Sequence, residues 1–163
     1  MDVRAAVKPE IEHLARIWHD GWHDAHRHIV PAELVSLRTV ESFAERLQAA
    51  LAELRVAGPF GDAAGLCIIR DDELYQLYVA AQARGTGVAA ALMADGEARL
   101  SQHGVETAWL ACAIGNERAV RFYEKCGWNR AGLVLLNVET SRGTFPLQVW
   151  RYEKLLPARH AAF

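Results

Sequence analysis

The sequence has no apolar run of membrane-spanning length, no block of like charge, no low-complexity tract and no internal repeat. Each absence removes a class of protein. A transmembrane helix needs about 20 consecutive apolar residues, and the first stretch, MDVRAAVKPEIEH, also lacks the apolar centre of a signal peptide. A formal net charge of −2 argues against a nucleic-acid binder that must neutralise many phosphates. Cysteine is scarce: Cys67, Cys112 and Cys126 are odd in number and form no C-x-x-C pair, so neither a disulfide framework nor a zinc ribbon is suggested. A reduced, cytoplasmic protein with no nucleic-acid or membrane partner is expected.

What is present suits an ordinary globule. The 163 residues, 52% hydrophobic and 23% charged, fit one domain spanning 1–163 with a core of its own. Val3 to Val7 is a strand candidate. From Pro9, Ile11, Leu14, Ile17, Trp18, Gly21 and Trp22 recur at helical spacing. A second helical region follows Pro31, from Ala32 to about Leu54 and in two pieces if Thr39 caps one. The pattern then changes. Ala63 to Arg70 and Glu73 to Val79 read as strands around an Asp71-Asp72 turn, with Glu73, Tyr75, Leu77 and Val79 on one face and Leu74, Gln76 and Tyr78 on the other. Helices at Gly87 to His103 and Glu117 to Cys126 bracket a strand at Thr107 to Ala113, and strands at Ala131 to Glu139 and Thr144 to Lys154 end the chain. The elements together imply a mixed α/β (α+β) domain.

One stretch carries more chemistry than the rest: Gln82-Ala83-Arg84-Gly85-Thr86-Gly87-Val88-Ala89-Ala90, between an expected strand and an expected helix. Two glycines permit close backbone approach, and the helix start offers unpaired N–H groups, a site for a phosphate or pyrophosphate. Gly85 to Ala90 also fits G-x-G-x-x-A, but a dinucleotide fold requires an acidic residue at the end of the next strand, which here ends Cys112-Ala113. The spacing to G-K-[ST] required of a P-loop is missing.

Gln82 to Gly87, directly after Leu77-Tyr78-Val79, resembles the Q/R-x-x-G-x-G/A motif of the GNAT superfamily of acyl-CoA-dependent N-acyltransferases. Asn116 to Trp128, NERAVRFYEKCGW, resembles the second signature of that family, N-x-x-A-x-x-F-Y-x-x-x-G-F, with Trp128 in place of the usual phenylalanine. The resemblance implies a mostly antiparallel central sheet with helices on both faces, splayed between the fourth and fifth strands. It implies acetyl-CoA as cosubstrate, with the backbone of Arg84, Gly85, Thr86, Gly87, Val88 and Ala89 around the pyrophosphate and Arg84 near a phosphate. Gln82 would be a motif marker and phosphate neighbour. Leu77, Tyr78 and Val79 would pair with the pantetheine arm, and Asn116, also a helix cap by its position, would touch it. Tyr123 would protonate the departing thiolate; its plainer role is core packing. Glu73 stands where some members carry a general base, and is otherwise a strand-end carboxylate. Tyr75 would line the acceptor site.

The first long helix is dense in polar aromatics. His19 and His23 are i,i+4 neighbours, but H-E-x-x-H is absent and no metal site is expected. Helices at this place wall the acceptor pocket in the family, so Trp22, His23 and His26 are candidate substrate contacts, with Asp20, Asp24 or Glu33 to attract a cationic amine. Cys112 has no evident activating partner, which favours direct transfer over an acyl-cysteine. The expected protein transfers acetyl from acetyl-CoA to a small-molecule or peptide amine in a ternary complex, as a possible homodimer. A non-catalytic acyl-CoA-binding module is the alternative.

Overall fold

The computed structural model describes residues 2–157. Seven strands form one sheet: β1 (Val3–Ala5), β2 (Leu54–Ala57), β3 (Gly65–Arg70), β4 (Glu73–Val79), β5 (Thr107–Ala113), β6 (Asn129–Thr140) and β7 (Gly143–Leu155), in the order β1-β2-β3-β4-β5-β7-β6. Every neighbouring pair is antiparallel except β4–β5, which is parallel. The expected mixed, mostly antiparallel sheet is therefore present. One strand was misread: β2 begins at Leu54, where the second helical region was expected to end, and it inserts between β1 and β3.

Helices cover both faces. On one side lie α1 (Ile11–His26), α2 (Ala32–Leu37) and α3 (Val40–Ala49). Leu14, Trp18 and Trp22 of α1, Phe43 and Leu47 of α3, and Val56, Leu66 and Ile68 of the sheet form one buried cluster. The helix starts at α3 because the Thr39 side chain accepts from the Ser42 N–H at 3.1 Å. On the other side lie α4 (Val88–Gln102) and α5 (Glu117–Lys125). Leu92, Met93 and Leu100 of α4 and Val120 of α5 pack with Cys67, Ile69, Leu74, Leu110 and Trp128. Trp128 is 2% exposed, and its indole N–H donates to Glu97 at 3.3 Å, so the larger ring is accommodated. Among the described residues no helix is long and apolar enough to cross a membrane.

Two departures from regular sheet geometry shape the centre. First, Ile68 faces Gln76 while Ile69 faces Leu74, so Tyr75 is an extra residue in β4. The bulge breaks the expected alternation: Leu74 joins Leu77 and Val79 on the α4 side, and Tyr75 joins Tyr78 on the α1 side. Second, β4 and β5 share one register pair, Glu73 with Trp109. Beyond it the strands form no ladder among the described residues, and the sheet opens between the fourth and fifth strands.

Small residues set how closely the helices approach this opening. A Cβ on Gly21 of α1 would lie 2.8 Å from Cδ1 of Tyr78, and one on Gly65 of β3 would lie 2.9 Å from the Tyr78 carbonyl oxygen and 2.8 Å from Cδ1 of Leu92. The backbone oxygen cannot swing aside, so Gly65→Ala must move β4 or α4. We expect it to destabilise the protein by about 1–3 kcal/mol, read as a lowered midpoint in urea unfolding with an unchanged slope. An unaltered midpoint would show that β3 yields freely.

Candidate active site

The opening between β4 and β5 is the middle of a cavity of about 740 Å³. Its lining runs from Arg84, Gly85, Gly87, Asn116 and Tyr123 at one end to Arg38, Glu73, Tyr75 and Glu139 at the other.

The glycine turn forms the first end. Gly85 and Gly87 have φ of +77° and +89°, left-handed values that glycine adopts without strain. A Cβ at either position would have nothing within 4 Å, so the surface above the turn is open to a ligand. The N–H groups of Gly85, Gly87, Val88, Ala89 and Ala90 have no acceptor among the described residues, and those of Arg84 and Thr86 are turned to the Ala81 and Ala83 carbonyls, each at 3.3 Å. The free donors at the start of the long helix α4 thus begin at Gly85 and extend to Ala90. The Thr86 hydroxyl also donates to the Ala83 carbonyl. Gln82 is exposed in a 3-10 turn, outside the cavity lining, and the Val88 side chain is buried in the core.

Asp24 of α1 closes a bridge at this mouth. Its Oδ2 accepts from Arg84 at 3.0 Å and from Arg118 of α5 at 3.2 Å. The Arg118 and Arg84 guanidiniums hold the Asp24 carboxyl below the usual carboxylate range. Asp24, expected as a lure for a cationic amine, is here paired with two arginines of the chain itself.

The opening itself is walled by Leu77, Tyr78 and Val79 from β4 and by Ala111, Cys112 and Ala113 from β5. Since, among the described residues, β4 pairs only with β3 along residues 76–79, its other edge presents unpaired backbone groups to the cavity. Asn116 uses Oδ1 to accept from the Ala119 N–H at 3.4 Å, the expected cap, and it also lines the cavity. Tyr123 lies on the half-buried face of α5, packed against Phe122 and Tyr152 at ring separations of 5.8 and 6.3 Å. Its hydroxyl makes no hydrogen bond among the described residues. Burial, aided by nearby Cys112, raises its pKa well above 10, so the phenol is protonated at neutral pH. Burial also pushes the Cys112 thiol up to about 12, the opposite of an activated nucleophile.

At the far end Glu73 is 7% exposed. Burial pushes its carboxyl up to about 7, opposed in part by the Arg70 guanidinium 3.9 Å away. Tyr75, turned to this side by the bulge, accepts from Arg46 Nη2 at 2.7 Å and stacks under Arg70 at 3.7 Å. Trp22 and His26 also reach the wall, their rings stacked at 4.8 Å. His26 donates from Nδ1 to the Trp22 carbonyl at 2.8 Å, and burial pushes its imidazole down to about 4, so it is neutral. His23 does not line the cavity. Its Nε2 donates to the Arg38 carbonyl at 2.6 Å, bracing the connection after α2. Sequence reasoning missed Arg38, Arg46 and Arg70, Trp109 of β5, and Leu136 to Glu139 of β6, all of which line the cavity. No local spacing marks them, because they come from five separate parts of the chain.

Comparison with known proteins agrees with this geometry. Residues 36–128 match the model of the Acetyltransferase (GNAT) family. An uncharacterized N-acetyltransferase of Mycobacterium tuberculosis is 43% identical over 63 residues, 39% of this chain and 40% of that protein, so the match spans well under half the length of the relative. A GCN5-related N-acetyltransferase from Rhodopseudomonas palustris superposes with a TM-score of 0.75 at 17% identity, covering 95% of both chains. A GNAT superfamily phosphinothricin acetyltransferase from Sinorhizobium meliloti, solved in complex with AcCoA, superposes at 0.68 and 18% identity, covering 95% of this chain and 88% of that one. The matched region includes the glycine turn, the opening between β4 and β5, and α5; the chain belongs to the GNAT family of acetyltransferases.

Proposed function

We propose that this domain, residues 1–163 acting as one unit, transfers an acetyl group from acetyl-CoA to a primary amine by direct attack within a ternary complex. The observation that carries the reading is the single cavity that joins the free N–H groups at the start of α4 to a protonated phenol and a buried carboxylate. The donor set fits the coenzyme: N–H groups from Gly85 to Ala90 suit a pyrophosphate, and Arg84 and Arg118 suit further phosphate charge. The free edge of β4 at Leu77 to Val79 suits an extended amide-bearing arm, with Asn116 opposite. When bound, acetyl-CoA supplies a thioester carbonyl activated for attack.

The residues of the chain then move protons. An amine arrives as an ammonium and must lose one proton before attack and another as the amide forms. Glu73, with its carboxyl near pH 7, is the group to take a proton and pass it to solvent. Tyr123 returns a proton to the leaving sulfur as the C–S bond breaks. The balance is ammonium and acetyl thioester to acetamide, free thiol and one released proton. Trp22, His26 and Tyr75 line the acceptor end, and His23 positions the connection that carries Arg38.

A second copy of the chain is proposed to associate through β6, an edge strand whose Leu133 and Leu135 are 50% and 68% exposed. Sedimentation should then show a dimer that Leu135→Glu disperses.

Thiol release from acetyl-CoA over an amine library tests the function; binding of CoA without turnover on any amine would leave only a non-catalytic module. Tyr123→Phe should lower kcat about 100-fold or more with CoA affinity kept, and Cys112→Ser should retain full activity. An acyl-cysteine route would reverse the second result. For wild type, kcat/KM should rise with pH through about 7 as Glu73 ionises, and Glu73→Gln should lose that limb. The same group predicts a stability effect of definite sign. A carboxyl at about 7 in the folded state and 4.5 when unfolded is neutral in both below pH 4.5 and penalises the fold progressively as pH rises through 7. Glu73→Gln should therefore stabilise the protein above pH 7, by no more than about 3 kcal/mol, and have little effect below pH 4.5. Equal melting shifts at both ends would contradict the assignment.

A further inference from the structure

Beyond Glu73 the cavity holds more positive charge than the chain neutralises. Arg38, Arg46 and Arg70 all line it. Arg70 is matched by carboxylates, Glu139 at 2.7 Å and Glu73 at 3.9 Å. Arg38 and Arg46 form no ion pair with any carboxylate among the described residues.

Arg38 is 4% exposed. One nitrogen donates to the Glu139 carbonyl in β6, and its Nε is buried with no partner. Arg46 lies 4.4 Å over the Trp18 ring and donates once, to the Tyr75 hydroxyl; its Nε is likewise buried and unpartnered. The two guanidiniums feel each other, since Arg46 helps burial to lower the Arg38 pKa to about 10, which still leaves Arg38 charged at neutral pH. Stacking on Trp18 and Trp22 offsets some of the desolvation but fills no N–H donor. Buried charges are ordinarily paired, and a planar, multi-donor guanidinium is suited to an oxyanion.

This end also has an apolar face: Trp22, Val30, Leu34, Leu136, Val138 and Leu147 contribute to the wall, beside the polar His26, Gln76, Asn137 and Glu139. The neighbouring carboxylate, Glu73, faces the cavity where an amine must be deprotonated. The same space thus offers a place for an anion, an apolar body and an amine.

We propose that the acceptor is a small amine bearing a carboxylate and an apolar side chain, an apolar α-amino acid in its simplest form, whose carboxylate is bound by Arg38 and Arg46. This rests on the acetyl-transfer reading above and names the substrate class for it. The site rejects amines without an anion, because they leave the buried Arg38 and the half-buried Arg46 without a counterion. It rejects polyamines further, because they bring positive charge to positive charge.

The test uses the CoA-loaded protein and three series: L-leucine, L-methionine and L-phenylalanine; their carboxamides; and the amines that lack the carboxyl group altogether, with spermidine as a polycation. Binding is measured by calorimetry and acetylation by mass spectrometry of the products. We expect at least one acid to bind and to be acetylated with kcat/KM about 100-fold or more above its carboxamide. Arg38→Gln and Arg46→Gln should each bring that ratio to within about 10-fold, while CoA affinity is kept. A ratio taken within one variant does not depend on how much of it folds. Acids that bind and lose binding in Arg38→Gln, with no amine acetylated, uphold the carboxylate site and refute the transfer reading. Acetylation of carboxamides, simple amines or spermidine as readily as the acids upholds transfer and overturns this proposal, as does a wild-type protein that binds none of the acids.

Discussion

The separation of β4 from β5 is the constraint on which the site depends. The two parallel strands meet at Glu73 and Trp109, where Trp109 Nε1 also donates to Asp72 at 2.9 Å, and then part. Past that point, among the described residues, each strand is paired on its other side alone, β4 with β3 and β5 with β7. A gap inside a sheet leaves hydrogen-bonding groups without partners, a state that persists where water or a ligand can satisfy them. The bulge at Tyr75 acts at the same place, turning that ring to the α1 side while Leu74 stays with the α4 core. Close packing at Gly21 and Gly65 then fixes α1 and the sheet around Tyr78. The opening is held apart by a packed frame on both faces, so a ligand arm can enter without the core having to yield.

Charge divides the cavity into two ends with different chemistry. At the mouth, Arg84 and Arg118 share one carboxylate, Asp24, in a solvent-exposed arrangement. Such pairs contribute little to stability, about 0–1 kcal/mol each, so the arginines can be redirected to phosphates at small expense. At the inner end the opposite holds. Arg38 is buried and Arg46 half-buried, each with a buried unpartnered Nε and no counterion among the described residues, and burial pushes the Glu73 carboxyl up to about 7. On the proposed reading, that end is suited to proton transfer and to an anion.

The parts legible in the sequence were those written locally. The glycines of the turn at Gln82 to Ala90 and the cap at Asn116 act through neighbours within a few residues, and both stand where the pattern put them. Glu73 and Tyr123 were named from motif context, and the structure gives each an environment the sequence could not, since burial is set by residues far along the chain. The misses share that cause. The strand Leu54–Ala57 is short and follows a helical turn, so its first residue, Leu54, was read as the end of a helical pattern. The bulge shows only in the pairing of β3 with β4. Arg38 touches Glu139 across 101 residues of chain, and in sequence it is an ordinary charge between two helices. His23 looked like a substrate contact from its helix face, yet it braces Arg38 from behind.

The central claim is that the free donors of the α4 turn and the open edge of β4 receive the coenzyme together. Amide hydrogen exchange followed by NMR, with and without CoA, tests it directly. The account predicts slowed exchange at Gly85, at Gly87 through Ala90 and along Leu77 to Val79, with the amides of β1 and β2 unchanged. Protection confined to the helix start, or absent from both segments, would contradict it.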